Sequence, residues 1–196
     1  MMKRFAEVER TTKETKIKAE FNIDGSGKNE ISTGIPFFDH MLTLFSVHGF
    51  FDLQLRANGD IEVDYHHTVE DVGLCLGTTL NKALGKRQGI RRYGSAYAPM
   101  DDALSRAVVD LGGRPFLVYE VANKRRRILD FDLSLLGEFL QAFSIQTRMN
   151  LHIAQLYGRD PHHAYESMFK ALALALRSAV AYDRREKGIP SSKGLL

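Results

Sequence analysis

The stretch His66-His67-Thr68-Val69-Glu70 returns in pattern as His162-His163-Ala164-Tyr165-Glu166, and this recurrence decides the fold. Each copy is an adjacent histidine pair followed by a glutamate at the same offset, and the copies lie about half the 196-residue chain apart. The match continues upstream. HMLTLF starts at His40 ahead of the first pair, and EFLQAF starts at Glu138 ahead of the second. Between these landmarks lie short alternating segments, FDLQLRA in the first half and NLHIAQL in the second. Landmarks recurring in one order signal an internal repeat. The chain therefore reads twice as helix, strand and a helix opened by HHxxE, with GKRQG (residues 85–89) breaking the pattern between the copies.

The rest of the chain fits that frame. Alternation predicts strands at 3–10 and 15–24, with DGSG turning after them. Helical spacing predicts helices over Phe37–Val47 and 66–84. The second half opens with three strands, 92–99, 103–111 and 115–122, punctuated by MDD and GGRP. A helix at 132–147, a strand at 150–157 and a helix at 162–182 follow. Each half is a β-sheet with two helices, so the class is α+β built from a duplicated half-domain. The expected units are 1–88 and 89–183, with residues 184–196 as a loop-like tail, GIPSSKGLL at its end.

Composition bounds the function. The chain is 44% hydrophobic and 26% charged, which excludes a disordered or fibrous protein. One cysteine, Cys75, excludes an intramolecular disulfide framework and suits a reducing cytosol. No apolar run reaches the roughly 18 residues of a membrane span. The start, MMKRFAEVER, has charge without an apolar segment behind it, so no secretory leader is expected and the location is expected to be cytoplasmic. A net charge of +3 suits an anionic small substrate better than a nucleic acid.

HHxxE on a helix places i and i+4 on one face, so His66 can join Glu70, and His162 can join Glu166, at one ion. The neighbours His67 and His163 point about 100° away and would serve another ion. Imidazole with carboxylate suits Mn²⁺, Fe²⁺ or Zn²⁺. Adding His40 and its repeat-mate Glu138 gives five imidazoles and three carboxylates. Four per ion leaves open coordination positions, the mark of a catalytic site. The pattern is not HExxH, so a zinc protease does not follow. His48 reads as a helix-end group, and His152, aligned with Gln54, as a supporting group that could replace Glu138.

The stretches FFDHML, DYHHTVED, RRYGSAYAPMDDALSRAVVDLGGRP, NLHI, DPHHAYESMFKALALAL and PSSKG resemble imidazoleglycerol-phosphate dehydratases of histidine biosynthesis, over essentially the whole chain. The resemblance implies a fold like domain 2 of ribosomal protein S5, two Mn²⁺ per active site, and a 24-mer built from trimers with sites shared between subunits. It implies metal ligation by His40, His66, His67, Glu70, His162, His163 and Glu166, with an eighth ligand at Glu138, where relatives often carry His. Leu44 departs from a frequent Gln after the DHML motif. The resemblance also places Arg92, Arg114, Ser192 and Lys193 around the substrate phosphate, His40 beside the substrate, and Glu14 as acid/base. A phosphate calls for fixed cations and hydroxyl or backbone donors. Arg114 sits after two glycines, where a ligand can approach closely. Asp101 and Asp102 read as supports for the ligands, and Arg125-Arg126-Arg127 as exposed surface.

The implied reaction removes the hydroxyl beside the imidazole ring and a proton from the neighbouring carbon, giving imidazoleacetol phosphate. That proton is not acidic next to an alcohol, so the ring must first act as an electron donor and expel hydroxide, leaving a diazafulvene-like system. Two other classes compete. A dinuclear hydrolase would release inorganic phosphate. An RNA-binding module would need a basic face with interleaved aromatics and would leave the histidines without purpose.

Overall fold

A computed structural model describes residues 4–121 and 125–194. Residue 3 of the first expected strand, residue 122 of the strand at 115–122, and residues 195–196 of the tail lie outside them.

In β2 (Thr15–Asn22) every second residue is buried, with Ile17, Ala19 and Phe21 fully enclosed. Its partner β1 (Phe5–Thr11) pairs antiparallel with it from Phe5↔Asn22 to Thr11↔Lys16. β3 (Asn29–Ser32), α1 (Pro36–Gly49), β4 (Asp52–Gly59) and α2 (His66–Leu84) complete the first half. The second half runs β5 (Tyr93–Met100), β6 (Ala103–Asp110), β7 (Phe116–Glu120), the short hairpin β8 (Arg127–Ile128) and β9 (Phe131–Asp132), α3 (Leu135–Thr147), β10 (Asn150–Tyr157) and α4 (Pro161–Val180). Two four-stranded sheets result, ordered β1-β2-β4-β3 and β5-β6-β10-β7. In each, the last pair is parallel and the others antiparallel. The duplication is a fact of topology.

The helices interleave. α2 packs on β1 and β2, and α4 on β5 and β6, but α1 of the first half packs against α4 of the second, and α3 against α2. The core between the halves is aromatic: Phe38, Phe45, Phe139 and Phe143 are buried, and the Phe139 and Phe143 rings stack 5.7 Å apart. Each fully buried ring contributes about 2–3 kcal/mol. α2 meets α3 through Gly73 and Gly77. A Cβ on Gly73 would lie 2.7 Å from the Phe139 carbonyl oxygen, and one on Gly77 2.7 Å from that of Phe143.

Polar clamps fix the corners. Asp71 on α2, nearly buried, accepts from Arg10 on β1 and Thr15 on β2, both at 2.5 Å. Arg87, 5% exposed, donates to the carbonyls of Leu111, Thr147 and Arg148 and to the Asn81 amide oxygen. Burial lowers its guanidinium to about 10, still a cation at neutral pH. Arg148 in turn donates to the Gly113 carbonyl at 3.2 Å. At the chain's start, Arg4 donates to the Val180 carbonyl at the end of α4 and lies over the Tyr182 ring.

The structure differs from the sequence reading at several places, the unexpected β8–β9 hairpin among them. β3 was not expected. The helix read from 132 begins at Leu135, because the Asp132 carboxylate accepts the N–H and hydroxyl of Ser134 and turns the chain after β9. α1 ends not through His48 but at Phe50, whose left-handed φ of 56° lets its own N–H reach the Val47 carbonyl and the Phe51 N–H reach that of Ser46, as Arg148 and Met149 do for α3. His152 lies exposed between buried Leu151 and Ile153, on the sheet face away from the helices, and is outside the group that reaches ligand geometry among the described residues.

Candidate active site

The crossing of α1 on α4 brings His40 to the second histidine motif rather than to the first. His40 Nε2 lies 2.7 Å and His162 Nε2 3.2 Å from the same oxygen of Glu166. One ligand atom from each of the three falls within 4.8 Å of the others, so the donor set fits a single ion. Asp160 starts α4 by accepting the N–H of His162 at 2.7 Å, and Asp64 does the same for His66 on α2. These acids fix both histidine pairs in a first helical turn.

Glu166 is buried, and burial alone would push its carboxyl up. Lys170, donating to Glu166 Oε2 at 2.9 Å, together with His40 and His162, outweighs that and holds it down at about 2. It is a carboxylate in all ordinary conditions. Lys170 was missed by the sequence reading, although its i+4 spacing from Glu166 is a legible signal. His48 is not one of the three converging residues but lies near enough to feel them: burial first and Lys170 second lower its imidazole, against a raising influence of Glu166.

The first motif is looser. His66 Nε2 is 3.6 Å from Glu70 Oε2, and both side chains are nearly half exposed. Glu138, exposed in the first turn of α3, is not among the three residues that reach ligand geometry among those described. A cavity of about 330 Å³ opens beside His66, lined by Tyr65, Asp64, Asp130, Asp132 and Arg127. Arg125 and Arg126 are exposed, as the sequence reading expected, while Arg127 also faces this cavity.

The second member of each pair turns away from the first, with ring planes at 87° for His66 and His67 and 89° for His162 and His163. The Nδ1 of His67 lies 3.0 Å from Asp60, and the Nδ1 of His163 lies 2.7 Å from Asp102. These hydrogen bonds raise both imidazoles, and that from His163 holds Asp102 well below the usual carboxylate range. Glu14 lies 3.9 Å from His67 Nε2, and Asp101 3.6 Å from His163 Nε2.

The expected phosphate groups are only partly assembled. Arg92 is engaged: its guanidinium grips both oxygens of Asp110 at 2.6 and 3.0 Å and donates to the Pro190 carbonyl at 2.9 Å. The fork fits because residue 112 is glycine, where a Cβ would lie 2.6 Å from Arg92 Nη2. Arg92 thus brings the tail beside the Gly112-Gly113-Arg114 turn. Arg114, Ser192 and Lys193 are exposed, and Lys193 N–H donates to the Ser191 hydroxyl in the tail's own turn. Leu44 is half-buried on α1.

Fold and site together define an enzyme built on a duplicated α+β half-domain, with a histidine–carboxylate centre able to hold a metal. The family model for imidazoleglycerol-phosphate dehydratase matches residues 33–176. Imidazoleglycerol-phosphate dehydratase of Syntrophobacter fumaroxidans is 56% identical over 189 residues, covering 96% of both chains. That of Desulfosudis oleivorans is 53% identical over the full length of both. A crystal structure of the Staphylococcus aureus enzyme superposes with a TM-score of 0.83 at 34% identity, covering 91% of this chain and 99% of that one. A Pyrococcus furiosus structure gives 0.83 at 36% identity, covering 96% and 100%. The chain belongs to the imidazoleglycerol-phosphate dehydratase family, hydro-lyases of histidine biosynthesis. Among the described residues no helix is long and apolar enough to cross a membrane.

Proposed function

We propose that this chain removes water from imidazoleglycerol phosphate with two Mn²⁺ per active site, as a cytoplasmic enzyme assembled into a 24-mer of trimers. The observation that carries the metal reading is the convergence of His40, His162 and Glu166 on one point. His66 and Glu70 form its looser counterpart, with Glu138 as the repeat-mate of His40. His67 and His163 turn from these groups, which supports their completing a centre on a neighbouring copy. The tail, residues 184–196, and the Arg114 turn supply the phosphate donors, with Ser192 and Lys193 exposed for that contact and Arg92 holding the tail in place.

When bound, the ions supply Lewis acidity and a template for the substrate's imidazole and hydroxyl. The chain's own groups do the rest. His40, His162 and Glu166 enter the site preorganised, because Lys170 already fixes the other oxygen of Glu166. Glu14 takes the carbon-bound proton, since its carboxylate stands free beside His67 at the end of the β1–β2 turn. The cations of Arg114 and Lys193 anchor the phosphate away from the reacting carbon, holding it in register.

The test is a dehydratase assay on protein stripped with chelator and reloaded with Mn²⁺, following imidazoleacetol phosphate and inorganic phosphate together. Mn²⁺-dependent ketone without free phosphate is expected. Free phosphate would point to a hydrolase, and full turnover by stripped protein would remove the metal from the account. A Glu14→Gln protein that keeps full turnover would sink the role of Glu14.

A further inference from the structure

The two halves hold their outward-turned histidines by different means. In the second half, Asp102 in the β5–β6 turn takes His163 Nδ1 and also accepts the N–H groups of Arg159 and Asp160 ahead of α4. In the first half, His67 Nδ1 is taken by Asp60, the residue that follows β4. The hairpin registers identify the equivalent positions. The β1–β2 turn lies between paired Thr11 and Lys16, and the β5–β6 turn between paired Met100 and Ala103, so Glu14 corresponds to Asp102 and Lys13 to Asp101. β10 carries one bulged residue more than β4, between Gln155 and Tyr157, so Gly158 matches Gly59 and the position matching Asp60 is Arg159, which offers no carboxylate. Each half therefore has one carboxylate for its histidine, from non-equivalent places.

We infer that Asp60 is the positioning residue of His67. It does from the end of β4 what Asp102 does for His163 from the β5–β6 turn, and so leaves Glu14, the repeat-mate of Asp102, free for the substrate. The inference rests on the metal reading above and deepens it. Three contacts support it. Asp60 approaches His67 Nδ1 with both oxygens, at 3.0 and 3.2 Å, leaving Nε2 as the ring's outward nitrogen. Asp60 N–H donates to the Glu14 carbonyl at 3.1 Å, which ties the main chains of the two residues together. Glu14, 3.9 Å from Nε2, is outside hydrogen-bond distance of the ring. A carboxylate on one imidazole nitrogen fixes the tautomer, makes the other nitrogen a better ligand, and is worth 10–100-fold in metal affinity or activity. Without Asp60 the ring is free to turn its N–H toward Glu14, and both groups are misassigned.

The experiment compares wild-type protein with Asp60→Ala and Asp60→Asn. Asp60 is a partly exposed loop residue, so the fold tolerates both changes. Histidine-¹⁵N spectra of chelator-stripped protein at pH 9, with the His67 signals assigned through a His67→Gln variant, report the tautomer. Mn²⁺ titration of the same samples reports affinity. Wild-type His67 is expected as the Nδ1–H form. Asp60→Ala should shift it toward a mixture and weaken Mn²⁺ binding about 10–100-fold, with Asp60→Asn recovering part of both. An unchanged tautomer and unchanged Mn²⁺ affinity in Asp60→Ala would overturn the inference while leaving the metal reading intact. Wild-type protein that binds no Mn²⁺ would overturn both.

Discussion

Replacing Gly73 by alanine tests how stiff the α2–α3 crossing is. The new Cβ would stand 2.7 Å from the Phe139 carbonyl oxygen, 2.9 Å from Ala142 Cβ and 3.3 Å from the Phe139 ring. Ordinary carbon contacts begin near about 3.5 Å. The two shortest involve a backbone oxygen and a Cβ, neither of which can swing away, so α3 must move by several tenths of an ångström. Overpacking of this kind costs about 1–3 kcal/mol, and two rigid overlaps place Gly73→Ala at the upper end. Alanine returns about 1 kcal/mol through its better helix propensity. The net loss is about 2 kcal/mol, which for a chain of this size lowers Tm by about 4–8 °C. The assay is thermal unfolding of chelator-stripped protein at fixed concentration, followed by Mn²⁺ titration. The displacement lies one turn below Glu70 and beside the helix of Glu138, so the looser half of the site should lose affinity first. A variant as stable as wild type would refute the reasoning, because helix propensity would then outweigh the overlap.

Two further outcomes follow from buried groups. Arg87→Met should cost about 3 kcal/mol or more, since it strands three buried carbonyls and the Asn81 amide oxygen; urea unfolding measures it, and Arg87→Lys should recover less than half, because one ammonium cannot reach all four acceptors. Cys75, whose thiol burial pushes up to about 11, should resist a thiol reagent at pH 8 in the native protein and react fully in urea. Rapid labelling of the folded protein would contradict the packing around α2.

The duplication was legible because its markers are local. A histidine pair and a glutamate four residues on need only helical geometry to be read, and the alternation in β2 and β4 needs only the pleat. What lay outside the sequence was long-range. His40 stands much nearer His66 in the chain than His162, yet the interleaving of α1 with α4 gives it to His162 and Glu166. Asp102 was legible as a ligand support but not as the partner of His163, and Asp60 carried no signal for His67, because these contacts join turns to helices across the fold. β3 escaped because NEIS is short and mostly exposed, with no alternation to read. The resemblance placed Arg92 beside the phosphate, and the sequence carried no signal that Asp110, eighteen residues on, also engages its guanidinium.

The contact of Arg4 with Val180 and Tyr182 has a consequence for how the chain could be ordered. It brings the first strand of one half to the last helix of the other, so the polypeptide nearly closes on itself. The passage from α2 to β5 and the gap between α4 and β1 then occupy matching places around the ring. A gene rearranged to begin at the second half and end with the first would trace the same two sheets and the same crossed helices. Seen this way the molecule is a pair of copies joined by a tether, each copy holding its outward histidine with a carboxylate from a different place.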